Sequence, residues 1–166
     1  MSPVYAITAL VVSERLAELA IAGRNTRRLL AEGAVEHGRG HYAIFVLLHA
    51  AWLGAIAVTV PADRPVLWPL VGVYFLLILG RIWVIASLGR FWTTRVVTLA
   101  SAPLVRRGPY RFMRHPNYAI VVAEIAVLPL AFGAWQIALV FSLLNLLLVA
   151  HRIRVEERAL APRSTP

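Results

Sequence analysis

The sequence predicts an all-α, polytopic integral membrane protein with about five transmembrane helices. Of its 166 residues, 60% are apolar and 15% are charged, whereas soluble domains have about 45–50% apolar and about 25% charged residues. The mean hydropathy is +0.72, and the apolar residues form blocks that approach or reach the roughly 20 residues needed to cross a bilayer. Arginine-rich segments separate these blocks, which is the charge pattern of membrane proteins.

Five apolar blocks define the predicted helices, and the fourth block is short. They are residues 3–22, 41–60, 66–88, 118–132 and 135–150. The sequence shows no internal repeat and no low-complexity linker between them. Because the length is that of about one domain, residues 1–166 are predicted to form a single domain.

The first block is predicted to be a retained helix rather than a cleaved signal peptide. A signal peptide has a basic start followed by an uncharged core. The first ten residues here contain no basic side chain, and Glu14, Arg15 and Glu18 interrupt the block. Because charges are costly in lipid, we expect these three side chains to face the protein interior.

The arginines predict the orientation of the chain in the membrane. All 17 basic residues are arginine, and most of them follow the first, third and fifth blocks. These arginines are Arg24, Arg27, Arg28 and Arg39, then Arg90, Arg95, Arg106, Arg107, Arg111 and Arg114, then Arg152, Arg154, Arg158 and Arg163. The positive-inside rule places the N-terminus outside and the three arginine-rich segments, including the C-terminal tail, in the cytoplasm. Since the loops account for the charge, we expect membrane lipids and no nucleic acid as partners.

The sequence excludes several kinds of site. It contains no cysteine, so disulfides and cysteine-based metal centres are excluded. The histidines are too scattered to predict a metal site by their spacing. The sequence has no glycine-rich dinucleotide loop, no P-loop and no nucleophile elbow.

The first candidate site precedes the fourth block, in the run Gly-Pro-Tyr-Arg-Phe-Met-Arg-His-Pro-Asn-Tyr at positions 108–118. Pro116 suits the first turn of a helix, which puts Arg114 and His115 at a helix N-terminus. Backbone N–H groups there favour an anionic group, so we expect the charged end of a cofactor to bind. The alternative is that the arginines of this run bind lipid phosphates.

The second candidate site lies at the end of the fifth block. Asn145, Arg152 and Glu156 are spaced by seven and four residues and therefore share one face of a helix. This face is predicted to bind an anionic or hydroxylated ligand at the membrane boundary. The alternative is a snorkelling arginine with an i,i+4 ion pair.

Two polar residues within apolar blocks are further candidates for substrate contact, together with Asn145. Glu124 is a carboxylate at membrane depth, which suggests a functional site, and the alternative is a structural ion pair with Arg81 of the third block. His49 lies in the second block. A lone histidine is more often structural than functional, so substrate contact by His49 is the less common of its two interpretations.

These motifs in combination resemble the isoprenylcysteine carboxyl methyltransferase family. The resemblance rests on the run at 108–118, the apolar hairpin that follows it, and Arg-Ile-Arg-Val-Glu-Glu at 152–157. The His-Pro-x-Tyr part alone also occurs in related phospholipid methyltransferases and sterol reductases. The first half, with Glu-Arg-Leu-Ala-Glu-Leu at 14–19 and His41–Tyr42, is similar to a bacterial branch linked to methylation of phenolic polyketide lipids.

The resemblance implies an S-adenosylmethionine-dependent methyltransferase with its cofactor-binding part at about residues 89–166. The cofactor would enter from the cytoplasm, and a lipophilic or prenylated acceptor would enter from the bilayer. Arg152 and Glu156 are the implied catalytic residues. The implied cofactor-binding residues are Tyr110, Arg114, His115, Pro116, Tyr118 and Glu157. The absence of lysine and cysteine, with abundant alanine and arginine, indicates a GC-rich bacterial genome and hence a bacterial cytoplasmic membrane.

The chemistry of the acceptor determines whether a base is needed. A carboxylate needs none, and Arg152 can hold it by a forked hydrogen bond. A phenolic hydroxyl benefits from a base, which Glu156 or a histidine can supply. We expect Glu156 mainly to orient Arg152 or the cofactor. The sequence leaves a carboxylate, a phenolic hydroxyl and a phospholipid amine open as acceptors.

Two other functions compete with this interpretation. One is a sterol-type reductase that uses NADPH, whose phosphates the arginine-rich segment after the third block would bind. The other is a small non-enzymatic membrane scaffold. The short chain and the Arg152-x-x-x-Glu156 ending favour the methyltransferase.

Overall fold

A computed structural model of the chain describes residues 2–102 and 105–164. For Arg39, His41 and residues 162–164 it describes the backbone only, so the side chains of Arg39, His41 and Arg163 lie outside the described part. The helices are α1 (Pro3–Ala31), α2 (Arg39–Thr59), α3 (Trp68–Leu88), α4 (Pro116–Ala131) and α5 (Trp135–Ser164). Two short strands are β1 (Val35–His37) and β2 (Val96–Thr98), and 3₁₀ turns form at Gly89–Phe91 and Gly108–Arg111.

Each predicted apolar block overlaps one of the α-helices of the described residues, so the mostly helical class is confirmed. Within the part of the chain that the structure describes, three helices are long and apolar enough to cross a membrane. These spans are Tyr42–Thr59, Trp68–Phe91 and Trp135–Ala161. Helix α4 is apolar but has only 16 residues. Helix α1 is longer, but Glu14, Arg15 and Glu18 interrupt its apolar sequence.

The first and fifth helices extend well past their apolar blocks. Arg24 and Arg152, predicted to follow these helices, lie inside α1 and α5, so that placement was wrong. The same correction applies to Arg27, Arg28, Arg154 and Arg158. Arginine, alanine, leucine and glutamate are all good helix formers, so a helix does not stop where its apolar stretch ends.

The two strands form an antiparallel ribbon that the sequence analysis did not predict. Val35 pairs with Thr98 and His37 with Val96, and the His37 imidazole contacts the Thr98 hydroxyl at 2.8 Å. Three-residue strands are too short to show the alternation that identifies a strand in sequence. The ribbon joins the segment after α1 to the segment after α3, so the expectation of a purely helical chain was wrong at these six positions.

Helix α4 is central to the fold and packs against both α3 and α5. Pro116 begins it as predicted, and the N–H of Tyr118 bonds to the carbonyl of His115 at 3.2 Å. Gly133 makes the tight turn to α5 with φ +67°, a left-handed conformation that glycine adopts without steric cost. The hairpin thereby brings the start of α4 beside the end of α5.

Buried charges connect α1, α3 and α4. Arg81 of α3 bonds to Glu18 at 2.7 Å and to Glu124 at 3.0 Å, and Arg15 contacts Glu124 at 2.8 Å. Glu14 lies 3.5 Å from Arg15. The expected inward orientation of the α1 charges is confirmed, and so is the Arg81–Glu124 pair. We call Glu14, Arg15, Glu18, Arg81 and Glu124 the buried charge cluster.

Candidate active site

A cavity of about 1390 Å³ lies among α1, α2, the ribbon, the start of α4 and the end of α5. Its polar end is built largely from residues that the sequence singled out. From the segment before α4 come Tyr110, Arg114 and His115, and α4 adds Tyr118. The carboxyl-terminal part of α5 contributes the rest of this set, which is Arg152, Glu156 and Glu157.

Arg152 is held at the centre of the polar end by neutral groups. Its Nε donates to the hydroxyl of Tyr118 at 2.8 Å, and its Nη2 donates to the backbone carbonyl of Thr94 at 2.6 Å. The Tyr118 hydroxyl in turn donates to Glu156. Arg152 and Glu156 are therefore linked through the Tyr118 hydroxyl, rather than through the direct ion pair considered from the sequence. Since hydrogen bonds orient a guanidinium strongly, Arg152 has one preferred direction.

His115 stacks on Tyr118 between two carboxylates. The two rings are 5.4 Å apart and inclined by 25°. The Nδ1 of His115 lies 4.0 Å from Glu156, and its Nε2 lies 3.6 Å from Glu157. The start of α4 and the end of α5 thus present a carboxylate pair and an imidazole to the same part of the cavity.

Two buried polar atoms beside this group lack a hydrogen-bond partner among the described residues. They are the Nε2 of His115 and the Oδ1 of Asn117, and both residues line the cavity. Buried polar atoms in folded proteins are nearly always satisfied, so unmet atoms at a cavity wall indicate the position of a ligand group.

An aromatic side chain of α2 completes the surroundings of Arg152. The guanidinium lies 5.2 Å from the ring centre of Phe45 and 5.8 Å from that of Tyr118, within the range of cation–π attraction. Sequence reasoning missed Phe45, because in an apolar helix it resembles any other core residue. It also missed Thr94, because a backbone carbonyl leaves no side-chain signal.

The β ribbon forms one wall of the cavity. Thr94 to Leu99 line it, and Arg95 bonds to Glu36 at 3.1 Å. The guanidinium of Arg95 also lies 4.7 Å from the ring centre of Tyr42 on α2. These contacts hold the segment that carries the Thr94 carbonyl, so the ribbon contributes to the orientation of Arg152.

Tyr110 lies beside the carboxylates as a neutral hydrogen-bond donor. Burial raises the pKa of its phenol, and the negative charge of Glu156 raises this pKa further. A phenol with a raised pKa stays protonated at neutral pH, so Tyr110 can donate a hydrogen bond to a ligand.

The three predicted substrate contacts occupy different environments. His49 lines the cavity, and its Nδ1 lies 2.9 Å from the carbonyl of Phe45. Glu124 is 1% exposed and bonds to arginines of the buried charge cluster. Asn145 is 0% exposed, and its side-chain amide has no hydrogen-bond partner among the described residues. Glu124 and Asn145 lie outside the cavity lining, as does Pro116, which is buried behind it.

Comparison with known proteins identifies the family. Residues 70–162, more than half of the chain, match the isoprenylcysteine carboxyl methyltransferase (ICMT) family. The uncharacterized protein YpbQ of Bacillus subtilis (strain 168) is 35% identical over 94% of this chain and 95% of its own length. An uncharacterized protein of Haemophilus influenzae is 28% identical over 92% of each chain. No solved structure matches the chain.

The matched residues include both candidate motifs, the run at 108–118 and the α5 ending at 152–157. The match favours a methyltransferase over the sterol-type reductase that shares the His-Pro-x-Tyr motif. Together with three helices able to cross a membrane, it shows that this integral membrane protein belongs to the isoprenylcysteine carboxyl methyltransferase family.

Proposed function

We propose that this protein is an S-adenosylmethionine-dependent methyltransferase that methylates the carboxylate or hydroxyl of a lipophilic acceptor. One observation carries the proposal: a single cavity joins the polar group around Arg152 to an apolar groove between α1 and α2. The groove is lined by Val12 and Leu16 of α1 and by Val46, Leu53 and other residues of α2. A hydrophilic cofactor and a hydrophobic acceptor therefore find matching surroundings within one volume.

The residues at the polar end fit the charged end of S-adenosylmethionine. The carboxylates of Glu156 and Glu157 favour cationic groups, and the unmet atoms of His115 and Asn117 can hydrogen-bond to a polar ligand. The N-terminus of α4, with Arg114 at the cavity wall, favours an anionic group such as a carboxylate. The cofactor supplies an activated methyl group on a positively charged sulfur.

The role of Arg152 follows from its fixed orientation. Two of its nitrogens are engaged by Tyr118 and Thr94, which leaves N–H groups of the guanidinium end for an acceptor oxygen. Alignment of the acceptor with the methyl carbon accounts for much of the rate in an in-line displacement. Glu156 acts on Arg152 through the Tyr118 hydroxyl and is an orienting residue in this proposal.

The proposal includes five membrane spans with the N-terminus outside and the active site facing the cytoplasm. Helix α1 can cross because its charges are paired inside the protein, which reduces their cost in lipid. Helix α4, at about 1.5 Å per residue, is about 24 Å long and spans as part of a hairpin with α5. The bacterial origin of both relatives supports the bacterial cytoplasmic membrane as the location.

The absence of cysteine makes the orientation directly testable with single-cysteine variants. Ser2→Cys should react with a membrane-impermeant maleimide on intact cells, and Arg158→Cys should react only after permeabilisation. The reverse pattern, or equal labelling of both variants before permeabilisation, would contradict the proposed orientation.

The activity is tested by methyl transfer in nanodiscs made from bacterial lipids. Purified protein receives S-adenosylmethionine labelled with tritium in its methyl group, with a farnesylcysteine carboxylate or a long-chain phenol as acceptor. Arg152→Lys should reduce radioactivity in the organic phase by about 100-fold, since it removes a fixed donor at the reacting centre. Arg154→Lys, an exposed neighbour on the same helix, is the matched control and should behave as wild type. Equal rates in the two variants would show that Arg152 has no such role.

A further inference from the structure

A histidine on α2 presents a proton acceptor to the cavity, outside the group around Arg152. The Nδ1 of His49 lies 2.9 Å from the carbonyl oxygen of Phe45, one turn earlier in the helix. A carbonyl oxygen only accepts hydrogen bonds, so the proton of the neutral ring is on Nδ1. The other ring nitrogen, Nε2, therefore carries a lone pair, and no described residue donates a hydrogen bond to it.

The surroundings hold this imidazole in place. On the side of the following turn, Trp52 contacts the ring edge-on, with centroids 6.3 Å apart and planes inclined by 81°. Trp52 is fully buried, so it limits rotation of the histidine. The Phe45 bond and the Trp52 contact together fix which nitrogen is unprotonated and restrict where it points.

His49 is close to the reacting centre along α2. The ring of Phe45 contacts the guanidinium of Arg152, and its carbonyl accepts a hydrogen bond from His49. His49 is one helical turn, about 6 Å along the axis, from Phe45, and both residues line the cavity. An acceptor that extends from Arg152 into the apolar groove therefore passes His49.

His49 also lies near the buried charge cluster. Arg15, Glu18 and Arg81 line the same cavity and interact electrostatically with the imidazole. Two guanidiniums and one carboxylate disfavour a positive charge on His49, so its Nε2 lone pair stays available to accept a proton.

We propose that His49 is the general base of the reaction when the acceptor is a lipophilic hydroxyl compound. This inference rests on the proposed methyltransferase function. The acceptor oxygen attacks the methyl carbon while its O–H proton passes to Nε2 of His49. The carbon–sulfur bond breaks with its electron pair on sulfur, which leaves the neutral thioether S-adenosylhomocysteine. The imidazolium then returns its proton to water at the cavity mouth.

The test compares two acceptors that share one hydrocarbon tail, a 3-pentadecylphenol and a 3-pentadecylbenzoate. A benzoate has already lost its proton and needs no base. Its methylation rate therefore reports any role of His49 other than that of a base. His49→Gln should lower phenol methylation by about 100-fold, the usual minimum for a general base, with an unchanged benzoate rate. His151→Gln, an exposed histidine of α5 outside the cavity lining, should leave phenol methylation unchanged.

Acceptor acidity supplies a readout that a structural role would not change. A dinitro-substituted phenol of the same tail length is ionised at neutral pH, so His49→Gln should slow its methylation far less than that of the parent phenol. A loss that is equal for phenol, dinitrophenol and benzoate would overturn the proposal and make His49 a packing residue. His49→Asn serves as a second variant if the first unfolds in a thermal scan.

Binding of S-adenosylhomocysteine separates failure of this inference from failure of the proposed function. His49→Gln should bind this product with wild-type affinity, because His49 faces the acceptor side. Wild-type protein that binds the product but methylates only the benzoate would overturn the hydroxyl acceptor alone. Wild-type protein that does not bind the product would overturn the methyltransferase function itself.

Discussion

The buried charge cluster and the active site are built from the same residue types, yet they use them in opposite ways. In the cluster, Arg81 bonds directly to the carboxylates of Glu18 and Glu124. In the active site, Arg152 bonds to a hydroxyl and a carbonyl. The carboxylate of Glu157 there is half exposed, with 52% of its side chain accessible.

The difference shows how charge can be used for stability or for binding. Charges that neutralise one another inside a protein leave little field for a ligand, and removing one of them strands the others. A charge held by neutral dipoles keeps its field, and its loss strands no buried opposite charge. Substitutions in the cluster should therefore affect folding, and substitutions around Arg152 should affect catalysis.

The largest expected effect is on stability in the cluster. Arg81→Met leaves Glu18 and Glu124 without their shared cation, and breaking a buried pair in this way costs about 3–5 kcal/mol. Thermal and denaturant unfolding in detergent measure the change. Arg90→Met removes a surface pair with Glu32, in which Arg90 is 59% exposed, and should cost about 0–1 kcal/mol. Similar losses in both variants would contradict the stabilising role of the cluster.

A pair of tyrosine substitutions compares the two regions at the level of one hydroxyl. Tyr118→Phe removes the oxygen between Arg152 and Glu156 but keeps the ring that stacks on His115. Loss of one hydrogen bond to a charged group costs about 1.5–3 kcal/mol, so methyl transfer should fall by about tenfold or more. Tyr74→Phe removes the hydroxyl that Arg15 contacts at 3.5 Å, and its rate should stay within about twofold of wild type because that contact is weak. A greater loss in Tyr74→Phe would reverse the comparison.

The smallest expected effect is at the ribbon wall. Glu36→Gln weakens the ion pair with Arg95, whose side chain is 41% exposed. Partly exposed pairs contribute at most about 1 kcal/mol, so the dissociation constant of S-adenosylhomocysteine should rise by about fivefold or less. Glu32→Gln, in an exposed pair with Arg90 outside the cavity lining, should leave the dissociation constant unchanged. If both variants bind like wild type, the ribbon does not help to position the site.

Much of the fold follows from local sequence. Apolar blocks predicted where the α-helices of the described residues lie, because the helix period and length are local properties, and three of these helices are long and apolar enough to cross a membrane. Pro116 predicted the start of α4. The spacing of Arg152 and Glu156 correctly predicted a shared face. The pairing of Val35 with Thr98 could not be predicted, because it depends on tertiary contact between distant short segments.

Sequence reasoning could identify the side chains of the site but not its backbone groups. Position and spacing singled out His115 and Arg152, and the family resemblance added Tyr118; all three line the cavity. The Thr94 carbonyl that orients Arg152 was not identified, because every residue has a carbonyl. The sequence offered a functional site and an ion pair with Arg81 as alternatives for Glu124, and the structure shows the ion pair. Which carboxylate meets which arginine depends on helix packing.

Titration calorimetry with S-adenosylhomocysteine tests the central claim most directly. Wild-type protein in detergent should bind one equivalent saturably. His115→Ala should weaken binding by about tenfold, equal to about 1.4 kcal/mol, because it removes the imidazole between the carboxylates. His151→Ala, at an exposed histidine outside the cavity lining, should bind as wild type does. Folded wild-type protein that shows no saturable binding, or a His115→Ala variant that binds equally well, would contradict a methyl-donor site at the start of α4.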